Sequence, residues 1–194
     1  VHNYANGAAN QLLVNDNLQA SGDITLINDE ANIEIGTDGT GIATKLTASN
    51  ITLKSKYDVV HDGGNITASD KVALFTDGNI LLEGGSLSAT DAEMMAVGYI
   101  DEAYRNSYTA PNGYVLSISD TLEALAGGSA SDAYGVDLGS KFNQLHNVIL
   151  DSDNGNIILG NGNTDAVDLN VSVQSGHVVN GNIKITNYTA GEAN

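Results

Sequence analysis

Apolar and polar residues alternate one for one along most of this chain. Ile24 and Leu26 flank Thr25, Ile33 and Ile35 flank Glu34, Ile51 and Leu53 flank Thr52, and Ile66 and Ala68 flank Thr67. The pattern continues through Val72 and Leu74, Ile80 and Leu82, Leu87 and Ala89, and Met95 and Val97. It resumes at Val148 and Leu150, Ile157 and Leu159 and the run Val167, Leu169, Val171, Val173, and closes with Ile183 and Ile185. Residues two apart on a strand share a face, so this period predicts short half-buried strands. Turn formers stand between them: Asp38-Gly39, Asp77-Gly78, Asn154-Gly155, Asn161-Gly162 and Asn180-Gly181.

Many strands begin alike, with Asn or Asp before Ile and usually after Gly: GDITL (22–26), ASNITL (48–53), GGNITA (63–68), DGNILL (77–82), NGNIIL (154–159) and NGNIKI (180–185). The spacing wanders, as a degenerate repeat does, and several short strands per unit point to a solenoid. Residues 78–98 show one unit: NILL, SLSA and EMMAV are three strands, turned at Gly84-Gly85 and Thr90-Asp91. Stacked units would line their interior with ladders of Ile, Leu, Val and Ala. The predicted fold is therefore all-β, a right-handed parallel β-helix over 1–194 as a single domain, with a β-sandwich of hairpins as its rival.

Residues 99–146 break the rhythm. They hold the only Pro (Pro111), the only Arg (Arg105) and five of the eight Tyr. Asp120 followed by Thr-Leu-Glu-Ala-Leu-Ala and Gly127-Gly128 predicts a short α-helix, with Asp120 as N-cap, Glu123 at N3 and the glycines as its stop. The stretch reads as an excursion from the solenoid wall, where repeat proteins commonly carry their binding surface.

Charge narrows the partners. Lys and Arg number 7 against 24 Asp and Glu, for a net charge of −17. Such a surface repels phosphate backbones and anionic lipid, which excludes nucleic acid and the membrane surface as expected partners. No apolar run approaches the length of a membrane-spanning helix, so no direct membrane insertion is expected. Aromatics are 5% and Trp is absent, so aliphatic side chains must fill the core. The absence of Cys suits export without disulfides. A chain starting at Val1 without a signal-like segment is expected to be a mature piece or part of something longer.

The texture of GGNIT, DKVAL and TDGNILLEGGSLSATD, over 20–98 and 147–186, resembles filamentous haemagglutinin-like passengers of two-partner secretion and related autotransporter adhesins. The resemblance implies an extracellular, secreted or bacterial cell-surface adhesin or exoprotein shaped as a rod. Its partners would be a glycan or protein of a host or bacterial surface, and its coils would stack end to end with a longer chain. The secretion domain of that family carries Asn-Pro-Asn-Gly, where this chain has Ala110-Pro111-Asn112-Gly113. That departure places the chain in the rod or near its tip.

The residues offer three candidate chemistries. Tyr99, Tyr104, Tyr108, Tyr114 and Tyr134 with Arg105 offer apolar area and hydroxyls suited to recognising sugars or proteins; packing of the rings onto the wall is the other reading. Asp151-Ser152-Asp153-Asn154-Gly155 spaces oxygen ligands two apart, and Asp165 lies in a stretch near a calcium β-roll repeat, so Asp151, Asp153 and Asp165 are the candidate calcium ligands. Neither an acid–base carboxylate pair nor a nucleophile elbow stands out, and the expectation is a non-enzyme. A polysaccharide-active β-helix enzyme and a purely structural rod segment are the alternatives.

Overall fold

A computed structural model describes residues 2–3, 11–36, 44–102, 114–128, 134–140, 143–161, 170–173 and 183–187. Over these the chain is all-β: seventeen strands join in one curled sheet, and every strand pairing is parallel. A sandwich of hairpins needs antiparallel neighbours, and none occurs among the described residues.

The pairings fall into three stacks. The first runs through Leu12, Ile33, Val59, Ile80, Ile100, Val136, Ile157 and Ile183, each opposite the next. The second runs through Leu18, Leu46, Ile66, Leu87 and Leu116. The third carries two apolar rows, Ile24 to Ile51, Val72, Ala92, Leu122, Val148 and Val171, and Leu26 to Leu53, Leu74, Met94, Ala124 and Leu150. The residues facing inward in these rows form one apolar core, and most are wholly buried. Burial of each Leu or Ile is worth about 1.5–3 kcal/mol.

The 78–98 unit distributes over the stacks as its pattern predicts. Ile80 and Leu82 belong to the first stack, Leu87 and Ala89 to the second, and Asp91–Ala96 to the third. The chain bends at Gly85, whose φ of 93° lies in the left-handed region, directly over Gly64 with φ 89°. A Cβ at Gly85 would sit 2.1 Å from the Gly64 carbonyl oxygen, so the two paired strands turn this corner only where side chains are absent.

Two expectations need correction. Residues 120–126 form no helix: Thr121–Ala126 is a strand, with Leu122, Ala124 and Ala126 inward. It pairs with Asp91–Ala96 on one side and Asn147–Ser152 on the other. A six-residue helix recovers little for its costly first turn, and it would strand two sheet edges. Asp120, expected as an N-cap, instead accepts from the Asn147 side chain of the next rung at 3.1 Å. The second correction concerns phase. Met94 and Ala96 point into the core, whereas Met95 and Val97 face out, 40% and 65% exposed.

Within the 99–146 stretch, Ile100–Asp101, Val115–Ile118, Thr121–Ala126 and Tyr134–Leu138 are strands of the same three stacks. The step from Ile100 to Val136 is the longest between successive rungs of the first stack.

Candidate functional site

The outward face of the third stack carries a groove of about 480 Å³. Its shape follows from register. One outward row runs Lys54, Phe75, Met95, Leu125, Asp151. The next inward row, Ser55, Thr76, Ala96, Ala126 and Ser152, is small and buried. Just beyond it the chain leaves the strands at Asp77, Val97, Gly127 and Asp153, held by N–H donation to Ser55, Thr76, Ala96 and Ala126 respectively. Gly127 bears no side chain, the Val97 carbonyl oxygen lying 2.2 Å from where its Cβ would be, and a trough lies between the two outward rows. Phe75, Met95, Leu125 and Val97 make it apolar, while Lys54, Asp77, Asp151 and Asp153 edge it. Lys56 meets Asp77 at 2.5 Å at one end, and the lysine's pKa is raised by that carboxylate.

A second polar site lies inside the core. His61 occupies an inward position in the first stack, between Ile35 and Leu82. Its Nδ1 is 2.6 Å from the Tyr114 hydroxyl, and the rings meet edge to face with centroids 5.3 Å apart. Glu102, buried one residue past the strand Ile100–Asp101, accepts at Oε2 from the Ser140 N–H and the Asn143 side chain, each at 2.9 Å. Asn143 also donates to the Leu138 carbonyl and accepts from the Leu116 N–H, and Ser140 Oγ donates to the Tyr114 carbonyl. This network ties Glu102, Tyr114, Leu116, Leu138, Ser140 and Asn143 together. His61 Nε2 and Glu102 Oε1 are buried without a hydrogen-bond partner.

Burial sets the protonation of these groups. It pushes Glu102 up to about 8, with the Ser140 and Asn143 hydrogen bonds opposing it and the Asp137 and Asp101 carboxylates adding to it. It pulls His61 down to about 4, with the nearby Gly63 backbone opposing it, and holds Tyr114 well above the usual phenol value. Near neutral pH the imidazole and the phenol are therefore uncharged. Glu83, on the outer face, is raised by burial and then by Asp62, Asp101 and Glu34.

The residues singled out from sequence do not converge on one place. Tyr114 is 2% exposed and bonded to His61, so its ring packs and its hydroxyl is occupied inside the core. Tyr99 is half-buried, and its N–H donates to Asn79 Oδ1. Tyr134 begins the strand opposite Asn156. Tyr104, Arg105, Tyr108 and Asp165 lie outside the described residues. Asp151 is buried and Asp153 exposed, both at the groove's far end. No cluster of three or more His, Cys, Asp or Glu suited to a metal occurs among the described residues.

Sequence reasoning missed Phe75 and Leu125 as outward groove residues, and assigned Met95 and Val97 to the wrong face. The signal was there in EMMAV, where two successive Met leave the phase ambiguous; the pairing of Ala92 with Val72 and Leu122 resolves it. His61 and Glu102 carried no local signal, since register alone brings them to the core. Comparison with family models, with characterised proteins and with solved structures finds no match to this chain.

Proposed function

We propose that this chain is a right-handed parallel β-helix serving as a stiff, non-catalytic segment of a secreted or cell-surface bacterial adhesin or exoprotein, which displays a recognition segment for a glycan or protein ligand. The observation that supports this reading is the continuity of the first stack. Eight rungs from Leu12 to Ile183 pair in parallel register, with the longest step falling where the composition changes. Parallel rungs at about 4.8 Å make a column that resists bending, because each coil is hydrogen-bonded along its strands to the next. The recognition segment is narrower than the sequence pattern implied. With 115–126 and 134–138 serving as strands, residues 103–113 hold Tyr104, Arg105 and Tyr108 as the candidate ligand contacts.

The test replaces 103–113 with a short Gly-Ser turn and leaves the strands intact. Both forms are screened on glycan and host-protein panels, with and without calcium, after circular dichroism shows that both fold. Binding that is lost on replacement supports the display role. Binding by neither form reduces the chain to shaft, and turnover of an acidic glycan would replace the adhesin reading with an enzyme.

A further inference from the structure

We infer that the groove on the third stack is a docking surface for a basic peptide segment bearing apolar side chains, such as an extended stretch in which Lys or Arg alternates with Phe or Leu. This goes beyond the proposed display role, and it stands or falls independently of residues 103–113.

Three features select that occupant. The first is exposure: Met95 and Val97 are among the few large apolar side chains that the described surface leaves open, and they are neighbours in one trough with Phe75 and Leu125. A concave, mostly apolar trough of about 480 Å³ with a few charged groups at its edge has the form of a binding site. The second is charge. Asp77, Asp151 and Asp153 edge the trough against Lys54, with Lys56 paired to Asp77, on a chain of net charge −17. A second copy of the chain, a nucleic acid or an anionic glycan would bring further negative charge to it, whereas a cation is drawn in. A neutral glycan would ask for donors as well as acceptors, and the lining side chains supply donors only from Lys54, Ser55 and Thr76, the last two buried beneath the floor. The third is length. From Lys54 to Asp151 the row crosses four rung spacings of about 4.8 Å, a run of about 19 Å that accommodates roughly six residues of extended peptide at about 3.3 Å each.

The experiment uses a fluorescein-labelled Lys-Phe-Lys-Leu-Lys-Phe peptide as probe, with Glu-Phe-Glu-Leu-Glu-Phe as its charge-reversed partner, read by fluorescence anisotropy at low and high salt. Met95→Lys and Val97→Lys place a positive charge in the trough at exposed positions. Thr67→Lys places the same charge on the exposed face of the second stack as a control. Circular dichroism and thermal melts establish that each variant folds, and two groove variants guard against one failing to. The expected result is saturable binding of the basic peptide alone, weakened about tenfold or more by either groove variant and within about twofold by Thr67→Lys. Equal weakening by all three variants would reduce the effect to diffuse surface charge and overturn the proposal. It would equally be overturned by no saturable binding, by displacement of the probe by a neutral glycan, or by sedimentation showing self-association that the groove variants abolish.

Discussion

Glu102→Gln should make the protein's stability profile lose its alkaline limb. In the folded chain the Glu102 carboxyl is raised from 4.5 to about 8, chiefly by burial. Between those values the folded state holds a proton that the unfolded state has released, so stability falls as pH rises from about 4.5 to about 8. At about 1.36 kcal/mol per unit the fall reaches about 5 kcal/mol at completion and about 3 kcal/mol by pH 7. Glutamine reproduces the neutral acid: its oxygen accepts from the Ser140 N–H and Asn143, and its amide takes the side where Oε1 has no partner. The stability difference between variant and parent should therefore be small near pH 4.5 and grow in the variant's favour by several kcal/mol toward pH 9. Urea denaturation followed by circular dichroism at half-unit intervals measures it, and taking the difference cancels the remaining carboxylates. His61 supplies the opposite limb. Its folded value of about 4 lies below 6.5, so the unfolded state binds the proton first and stability falls as pH drops through that interval, by about 3 kcal/mol in all. The two slopes offset each other between about 4.5 and 6.5, giving these groups a joint plateau there, and His61→Gln should remove only the acid limb. A Glu102→Gln difference that stays flat across this range, or grows in the parent's favour, would refute the reasoning that Glu102 is held as a buried acid.

Two further outcomes rest on the stacked turns. Gly85→Ala should cost at least about 3 kcal/mol in urea denaturation, because φ is 93° and the added carbon would meet the Gly64 carbonyl at 2.1 Å. Asp58→Ala should cost about 1–2 kcal/mol and Asp58→Asn little, since Asp58 Oδ1 accepts from both the backbone and side chain of Asn79, and an amide oxygen preserves both bonds. Thermal melts of the two variants side by side test it.

Much of the architecture was legible because stacked parallel strands repeat their reasons. Ile24, Ile51 and Val72 were each written as an apolar position in a short alternating run, and register then placed them opposite one another. The Asn or Asp preceding the first-stack strands has a physical role that the pattern only hinted at. Asn32 Oδ1 accepts from the Asp58 N–H, Asp58 from Asn79 and Asn79 from Tyr99, a side-chain ladder that satisfies the donors at each corner. What misled was local chemistry taken alone. Asp120, Glu123 and Gly127 carry the marks of a capped helix, yet Leu122, Ala124 and Ala126 are also two apart. A vacant slot between two strands outweighs the propensity of six residues.

The candidate sites were less legible for a reason that follows from the same repetition. On a stacked sheet, a surface is written down its rungs, across coils, and not along any one segment. Phe75, Met95 and Leu125 become neighbours only through pairing, each contributed by a different coil, and no window of sequence contains all three. His61 and Tyr114 are likewise 53 residues apart, yet they share a hydrogen bond in the core. A tyrosine-rich stretch, by contrast, is conspicuous because it is contiguous, and that drew attention to Tyr114, whose hydroxyl is already taken by His61. In a chain of this kind, function is therefore better sought by laying the coils in register and reading the outward rows. In register, Met95 and Val97 stand not in the core but at the centre of an acidic-edged trough.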